Sequence, residues 1–61
     1  MNEDKMREKM KIVIVDDDIL VSSALKTILE AGGEVEVTGI GQDGKEAVRL
    51  YDELLPDVLL M

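Results

Sequence analysis

Cysteine is absent from the chain, and so are tryptophan and phenylalanine. Without cysteine there can be no disulfide and no thiolate metal site, and its absence fits a cytoplasmic protein. Tyr51 is the only aromatic residue, so the core has to be built from Val, Ile, Leu, Met and Ala. A chain of 61 residues forms one small domain at most, and such a domain buries only about 60% of its unfolded surface.

Positive charge is also scarce, with 7 basic against 14 acidic residues and a net charge of −7. This balance argues against nucleic acid or an anionic membrane as a direct partner, because both bind clustered Lys and Arg. It suits a cation or a basic protein surface, or serves solubility alone. No apolar run approaches the roughly 20 residues of a membrane span. Residues 1–10 are too charged for a secretory signal, and we interpret them as a polar tail.

Strand and helix patterns alternate along residues 11–61. Residues 11–15 form a short, mainly apolar run that is β-branched at four of five positions, which is typical of a parallel strand buried on both faces. The stretch "ILVSSALKTILEAGG", residues 19–33, shows helical spacing, and Gly32 and Gly33 are predicted to end the helix. The segment "EVEVT" alternates like a half-exposed or edge strand. A second helix is predicted between the cap Asp43 and Pro56, and "DVLLM" is a third apolar run.

The helical spacing predicts which face of each helix is buried. In the first helix the predicted face consists of Leu20, Val21, Ala24, Leu25, Ile28 and Leu29, with Ser22, Ser23, Lys26, Thr27 and Glu30 opposite. In the second helix it consists of Ala47, Val48, Tyr51, Leu54 and Leu55. Asp52 and Asp57 are interpreted as ordinary surface acids. The β-α-β-α-β order predicts an α/β fold with a parallel sheet and right-handed crossovers.

The stretch "GIGQDG", residues 39–44, matches the glycine fingerprint of dinucleotide-binding proteins. We discount the match for two reasons. The preceding strand carries Glu34 and Glu36 on one face, whereas the fingerprint strand should be buried. Asp43 also puts a carboxylate where a pyrophosphate would approach the helix N-terminus. Our interpretation is that Gly39 and Gly41 shape a loop and that Asp43 caps the helix.

Three carboxylates, Asp16, Asp17 and Asp18, follow the first strand directly. Ligands bind at this end of the strands in open parallel sheets, and neighbouring carboxylates are costly to bury without a cation. Mg²⁺ accepts one or two carboxylates together with waters. Asp18 also has the position of a helix N-cap. Two interpretations stay open: a metal site that needs a third oxygen from a neighbouring strand, and a solvated capping loop.

The pattern "KIVIVDDD", then a helix, "GQDGKEAVRL" and "LPDVLLM" resembles the N-terminal half of a two-component response regulator receiver domain. The resemblance covers residues 11–61, and the acid pair and the "PDVLLM" form also resemble the subfamily with a LuxR-type helix-turn-helix output. It implies a flavodoxin-like parallel sheet, of which this chain holds the β-α-β-α-β portion in strand order 2-1-3. The complete receiver sheet has five strands.

The resemblance also implies a function. A sensor histidine kinase would donate a phosphoryl group to an aspartate at the end of strand three, in the cytoplasm. Asp17 matches the direct Mg²⁺ ligand, and Asp16 matches the acid that acts through metal-bound water. The domain would be a phosphoacceptor rather than an enzyme. It would contact DNA only through an output domain outside this chain, and no membrane would take part.

The phosphoacceptor aspartate of this pattern is expected immediately after Met61, beyond the sequence. Two explanations remain open. The protein continues through a chemically modified aspartate, or it is a true half-domain. A half-domain would expose an edge of strand three, and such edges pair with other chains. It would then act as a non-phosphorylatable dimerisation or interaction module, with a second copy of itself as a partner.

Overall fold

The computed structural model describes residues 9–61, which form a three-stranded parallel sheet with a helix on each face. The elements are β1 (Met10–Val15), α1 (Ile19–Glu30), β2 (Val35–Gly41), α2 (Gly44–Leu54) and β3 (Val58–Leu60). The strand order is β2-β1-β3, so the predicted fold class and strand order are confirmed. Residues 1–8 of the predicted tail lie outside the described residues, and β1 begins one residue earlier than predicted.

The central strand β1 is buried on both faces, as its β-branched composition predicts. Residues 12–15 are between 0% and 6% exposed. Alternate side chains enter two separate cores. The core under α2 contains Val13, Val15, Ala47 and Leu50, with Leu54 and Leu59 packed against it. The core under α1 contains Ile12, Ile14 and Val37, flanked by Leu25, Leu29, Val35, Ile40 and Val58.

The face of α1 that meets the sheet differs from the prediction. Leu25 and Leu29 pack on the core as expected, but Ser22, predicted on the polar side, is completely buried. Leu20 and Ile28, predicted to be buried, are 77% and 67% exposed. Apolar residues cover more than one helical stripe of α1, so spacing alone does not select the stripe that faces the sheet.

The buried stripe of α2 is also displaced from the predicted one. Ala47 and Leu54 face the core as predicted, and Leu50, which is not part of the predicted stripe, is buried with them. The predicted members Val48, Tyr51 and Leu55 are exposed. Two apolar stripes run side by side on α2, at positions 47, 50 and 54 and at positions 48, 51 and 55, and only the first meets the sheet.

Gly39 and Gly41 lie within β2 and not in a loop, which corrects their predicted role. A Cβ on Gly39 would lie 2.8 Å from Leu54 Cδ1. A Cβ on Gly41 would lie 3.0 Å from Glu46 Cβ and 3.1 Å from Leu50 Cδ1. These glycines therefore let α2 approach the sheet closely, which accounts for the choice of the Leu50 stripe.

The strand β2 forms one edge of the sheet, in agreement with its alternating sequence. Its side chains range from the exposed Glu36 to the buried Val37. The register with β1 shifts after Ile12, where Val37 pairs with Ile12 and Gly39 with Val13, so Thr38 is the extra residue of a bulge. No helix within residues 9–61 has the length and apolar character that crossing a membrane requires.

Candidate functional site

The three carboxylates lie at the carboxyl edge of the sheet, where β1 ends. The Asp16 backbone N–H donates to Gly41 O at 3.0 Å, which extends the β1–β2 ladder by one residue. Asp16 is therefore held beside the loop that leads from β2 into α2. Its side chain is half-buried, whereas Asp17 and Asp18 are exposed.

Asp18 is the N-cap of α1, as predicted. Its backbone is extended, with φ −106° and ψ 108°. Its Oδ1 accepts hydrogen bonds from the backbone N–H groups of Leu20 at 2.9 Å and Val21 at 3.4 Å. These are donors that a helix start leaves without intrahelical partners. One of the three carboxylates therefore serves as the cap of α1.

Asp16 and Asp17 are the two acids left for a ligand. Asp16 Oδ1 accepts from the Asp18 backbone N–H at 2.8 Å, which orients that carboxylate and leaves its other oxygen available. The Asp17 side chain forms no hydrogen bond with any other residue of 9–61. The capping interpretation is confirmed for Asp18 alone, and the metal interpretation stays a prediction for Asp16 and Asp17.

Two carboxylates are a donor set that suits Mg²⁺, which keeps several waters and prefers hard oxygen ligands. A cage made by the protein alone is absent, since no group of three Asp, Glu, His or Cys residues within residues 9–61 is placed to hold a metal ion. Asp16 and Asp17 fit Mg²⁺ as partial ligands that need a further oxygen. Their role as metal ligands stays a prediction.

The register of β3 determines what would lie next to the acid pair. Ile12, Val13 and Ile14 pair with Val58, Leu59 and Leu60 in parallel. If this register continued by one step, Met61 would stand level with Val15. A strand residue following Met61 would stand level with Asp16, and neighbouring strands are about 4.8 Å apart. An oxygen donor at such a position would lie beside Asp16.

The glycine-rich stretch has a structural role at the start of α2. Asp43 Oδ1 accepts from the Glu46 backbone N–H at 3.0 Å, as its predicted capping role requires. Glu46 Oε1 in turn accepts from the Gln42 backbone N–H at 2.7 Å. The arrangement is a capping box with one difference: Glu46 accepts from Gln42, the residue before the cap, instead of from the cap residue itself. The two carboxylates occupy the region that a pyrophosphate would use at a helix N-terminus.

Several curated proteins are similar to this chain. It is 44% identical over all 61 residues to the transcriptional regulatory protein DegU of Brevibacillus brevis. It is 45% identical over 51 residues, or 84% of the chain, to the transcriptional regulatory protein YdfI of Bacillus subtilis. It is 43% identical over 53 residues, or 87% of the chain, to protein-glutamate methylesterase/protein-glutamine glutaminase 2 of Carboxydothermus hydrogenoformans.

The chain spans about a quarter of the length of the two regulators, 26% of DegU and 24% of YdfI, and 15% of the methylesterase. No family model and no solved structure matches it. The similar proteins include two transcriptional regulators and a methylesterase. The elements of this chain follow the order β-α-β-α-β, and its strands are arranged β2-β1-β3. Together, these similarities and this strand order support a fragment of a receiver domain of the kind found in two-component response regulators.

Proposed function

We propose that this chain is the metal-binding half of a phosphorylation-controlled switch. A sensor histidine kinase donates a phosphoryl group to an aspartate that follows Met61, and Asp16 and Asp17 hold the Mg²⁺ that this transfer needs. We assign no reaction other than this acceptance of a phosphoryl group. The setting is the cytoplasm, where kinase domains and regulators meet.

The parallel pairing of β3 with β1 is the observation that supports the proposal. Because Leu60 pairs with Ile14, a strand residue after Met61 would stand beside Asp16. An acceptor carboxylate there would complete the oxygen ligands of the acid pair. The bond from the Asp18 N–H to Asp16 Oδ1 orients Asp16 beside that neighbour, while the exposed Asp17 has no hydrogen-bond partner among residues 9–61 and can turn toward a metal.

Charge explains why the acid pair needs a metal for this task. A phosphoryl group that approaches two carboxylates is repelled by them, and bound Mg²⁺ offsets that repulsion and stabilises charge during in-line transfer. Asp16 and Asp17 contribute position as much as charge, because phosphoryl transfer depends mainly on alignment. Asp18 has no part in this step, since its carboxylate caps α1.

For the output we propose a DNA-binding domain of the LuxR type. Two relatives are named transcriptional regulatory proteins, and one of them matches the chain over its whole length. An acidic chain of net charge −7 would not itself bind DNA, so contact with DNA falls to the output domain.

The metal site can be tested separately from phosphorylation by NMR with Mn²⁺ as a paramagnetic substitute for Mg²⁺. We expect selective broadening of the amide signals of residues 16–18, with loss of that effect in Asp17→Asn. Asp52→Asn removes an exposed acid of α2 and serves as the matched control. Equal broadening in the wild type and in Asp17→Asn would contradict the proposed ligand set.

Phosphorylation is tested by the intact mass of the natural protein before and after treatment with acetyl phosphate and Mg²⁺. A mass well above 6.7 kDa that increases by one phosphoryl group is the expected result. An unchanged mass, or an increase that survives replacement of the aspartate after Met61, would reject the proposed acceptor. The unchanged mass would favour the non-phosphorylatable interaction module.

A further inference from the structure

We propose that Glu46 is a positioning residue for the acid pair and that it acts through the backbone between β2 and α2. This inference rests on the proposed function, because it concerns how firmly Asp16 is held for Mg²⁺. Glu46 lies in the first turn of α2, on a different element from the acid pair.

The acid pair depends on the end of β2 for a backbone hydrogen bond. Val15, the last residue of β1, pairs with Gly41, the last residue of β2. The Asp16 N–H then donates to Gly41 O at 3.0 Å. This bond ties the start of the acid stretch to the sheet just after β1 has ended. A displacement of the Gly41 carbonyl would therefore release Asp16.

The side chain of Glu46 restrains this end of β2. Its Oε1 accepts from the Gln42 backbone N–H at 2.7 Å, and hydrogen bonds to an ionised acceptor are stronger than those between neutral groups. The half-buried side chain also lies against Gly41. A Cβ on that glycine would lie 3.0 Å from Glu46 Cβ and 3.5 Å from its Oε1. Glu46 therefore contacts the end of β2 through both its stem and its carboxylate.

One peptide group connects Glu46 to Asp16. The C=O of Gly41 and the N–H of Gln42 belong to the same peptide unit, which is planar. A carboxylate that fixes the direction of this N–H therefore also fixes the direction of the C=O that accepts from Asp16. Connected hydrogen bonds polarise one another, so the charged acceptor at the N–H also makes the C=O a better acceptor.

Glu46 is held in place by its own helix. Asp43 Oδ1 accepts from the Glu46 backbone N–H at 3.0 Å, which fixes this residue in the first turn of α2. Glu46 does not join Asp16 and Asp17 as a ligand, because no three such residues within residues 9–61 are placed to hold a metal ion. Its contribution to the acid pair is therefore made through the peptide group and not by coordination.

The Mg²⁺ affinity of the natural protein tests this inference, measured from the shifts of the amide signals of residues 16–18 as Mg²⁺ is added. Glu46→Ala removes the acceptor for the Gln42 N–H and should weaken binding by about tenfold, as does the loss of a group that orients a metal ligand. Without metal, hydrogen exchange of the Asp16 amide should be faster in this variant. Glu46→Gln loses the charge but keeps an oxygen that accepts from the same N–H, so its affinity should lie closer to that of the wild type.

Glu53→Ala is the matched control, because it removes an exposed acid of α2 whose carboxylate pairs with Arg49 at 3.2 Å. We expect it to keep the wild-type affinity, with circular dichroism showing that each variant is folded. Equal affinity in the wild type and in Glu46→Ala would overturn the inference and leave the metal site standing. Equal weakening in Glu46→Ala and Glu46→Gln would also overturn it, because charge and not the hydrogen bond would then be responsible. A wild type whose amides do not respond to Mg²⁺ would reject the metal site itself, and this inference with it.

Discussion

Asp57 and Lys11 exchange two hydrogen bonds at the amino end of the sheet. The Lys11 backbone N–H donates to Asp57 Oδ2 at 2.8 Å, and the Asp57 backbone N–H donates to Lys11 O at 2.7 Å. Asp57 is exposed, but interpreting it as an ordinary surface acid was wrong, because it ties the start of β3 to the start of β1. Since β3 has only three residues, this bridge helps to set its register.

Replacing Asp57 with Ala should therefore lower the free energy of unfolding. Hydrogen bonds to a charged group contribute roughly 1.5–3 kcal/mol, and the exposure of Asp57 favours the low end of that range. Urea denaturation followed by circular dichroism measures the change. Asp52→Ala is the control on α2, where we expect a change within about 0.5 kcal/mol. Equal losses in the two variants would mean that the bridge to Lys11 contributes nothing specific.

Replacing Ser22 with Ala should raise the free energy of unfolding. The Ser22 Oγ is buried and has no hydrogen-bond partner within the described residues, and a buried unsatisfied polar group costs about 1–3 kcal/mol. Ser23→Ala is closely matched, because Ser23 is exposed on the same helix and the gain in helix propensity is the same. The difference in urea midpoint between the two variants isolates the buried hydroxyl. A smaller gain at Ser22 than at Ser23 would contradict this account.

The carboxylate of Glu30 links the end of α1 to β2 and should make stability depend on pH. The hydrogen bond from the Val37 backbone N–H lowers the pKa of Glu30 below its ordinary 4.5, and Lys26 and Lys9 lower it further. The stabilisation is therefore complete above the ordinary pKa. It is lost as the pH falls through the lowered pKa, where the carboxylate takes up a proton.

Glu30→Gln should be less stable than the wild type at neutral pH, and the difference should shrink as the pH falls below 4.5. Urea midpoints measured across this range test the prediction. Lys26→Met keeps the bond to Val37 and removes the 2.9 Å ion pair with Glu30. It should therefore preserve most of the pH dependence. A difference between Glu30→Gln and the wild type that stays constant with pH would exclude the proposed link.

Much of the fold followed from local patterns. The β-branched run of β1 predicted a strand buried on both faces, and the alternation of "EVEVT" predicted an edge strand. Both were confirmed because they express local periodicity and burial. The caps Asp18 and Asp43 were equally predictable, since a cap depends on a side chain within three residues of the N–H groups it accepts from.

The faces of the helices were predicted less well. Spacing placed Val48, Tyr51 and Leu55 in the core, but Leu50 is buried instead. Which stripe of α2 is buried depends on Gly39 and Gly41. Because these residues have no side chains, α2 can pack against the sheet in the rotation that buries Leu50. That contact joins residues from two elements, and helical periodicity within one element contains no information about it.

The sequence by itself determined the order of the elements, the helix caps and the position of the acid stretch, because each depends on neighbouring residues. The tertiary structure decided which acids bind other elements and which stripe of each helix is buried. The carboxylate of Asp18 caps α1, that of Asp57 accepts from the Lys11 N–H, and that of Glu30 accepts from the Val37 N–H. The last two bonds join separate elements, so they exist only once the sheet and helices have packed.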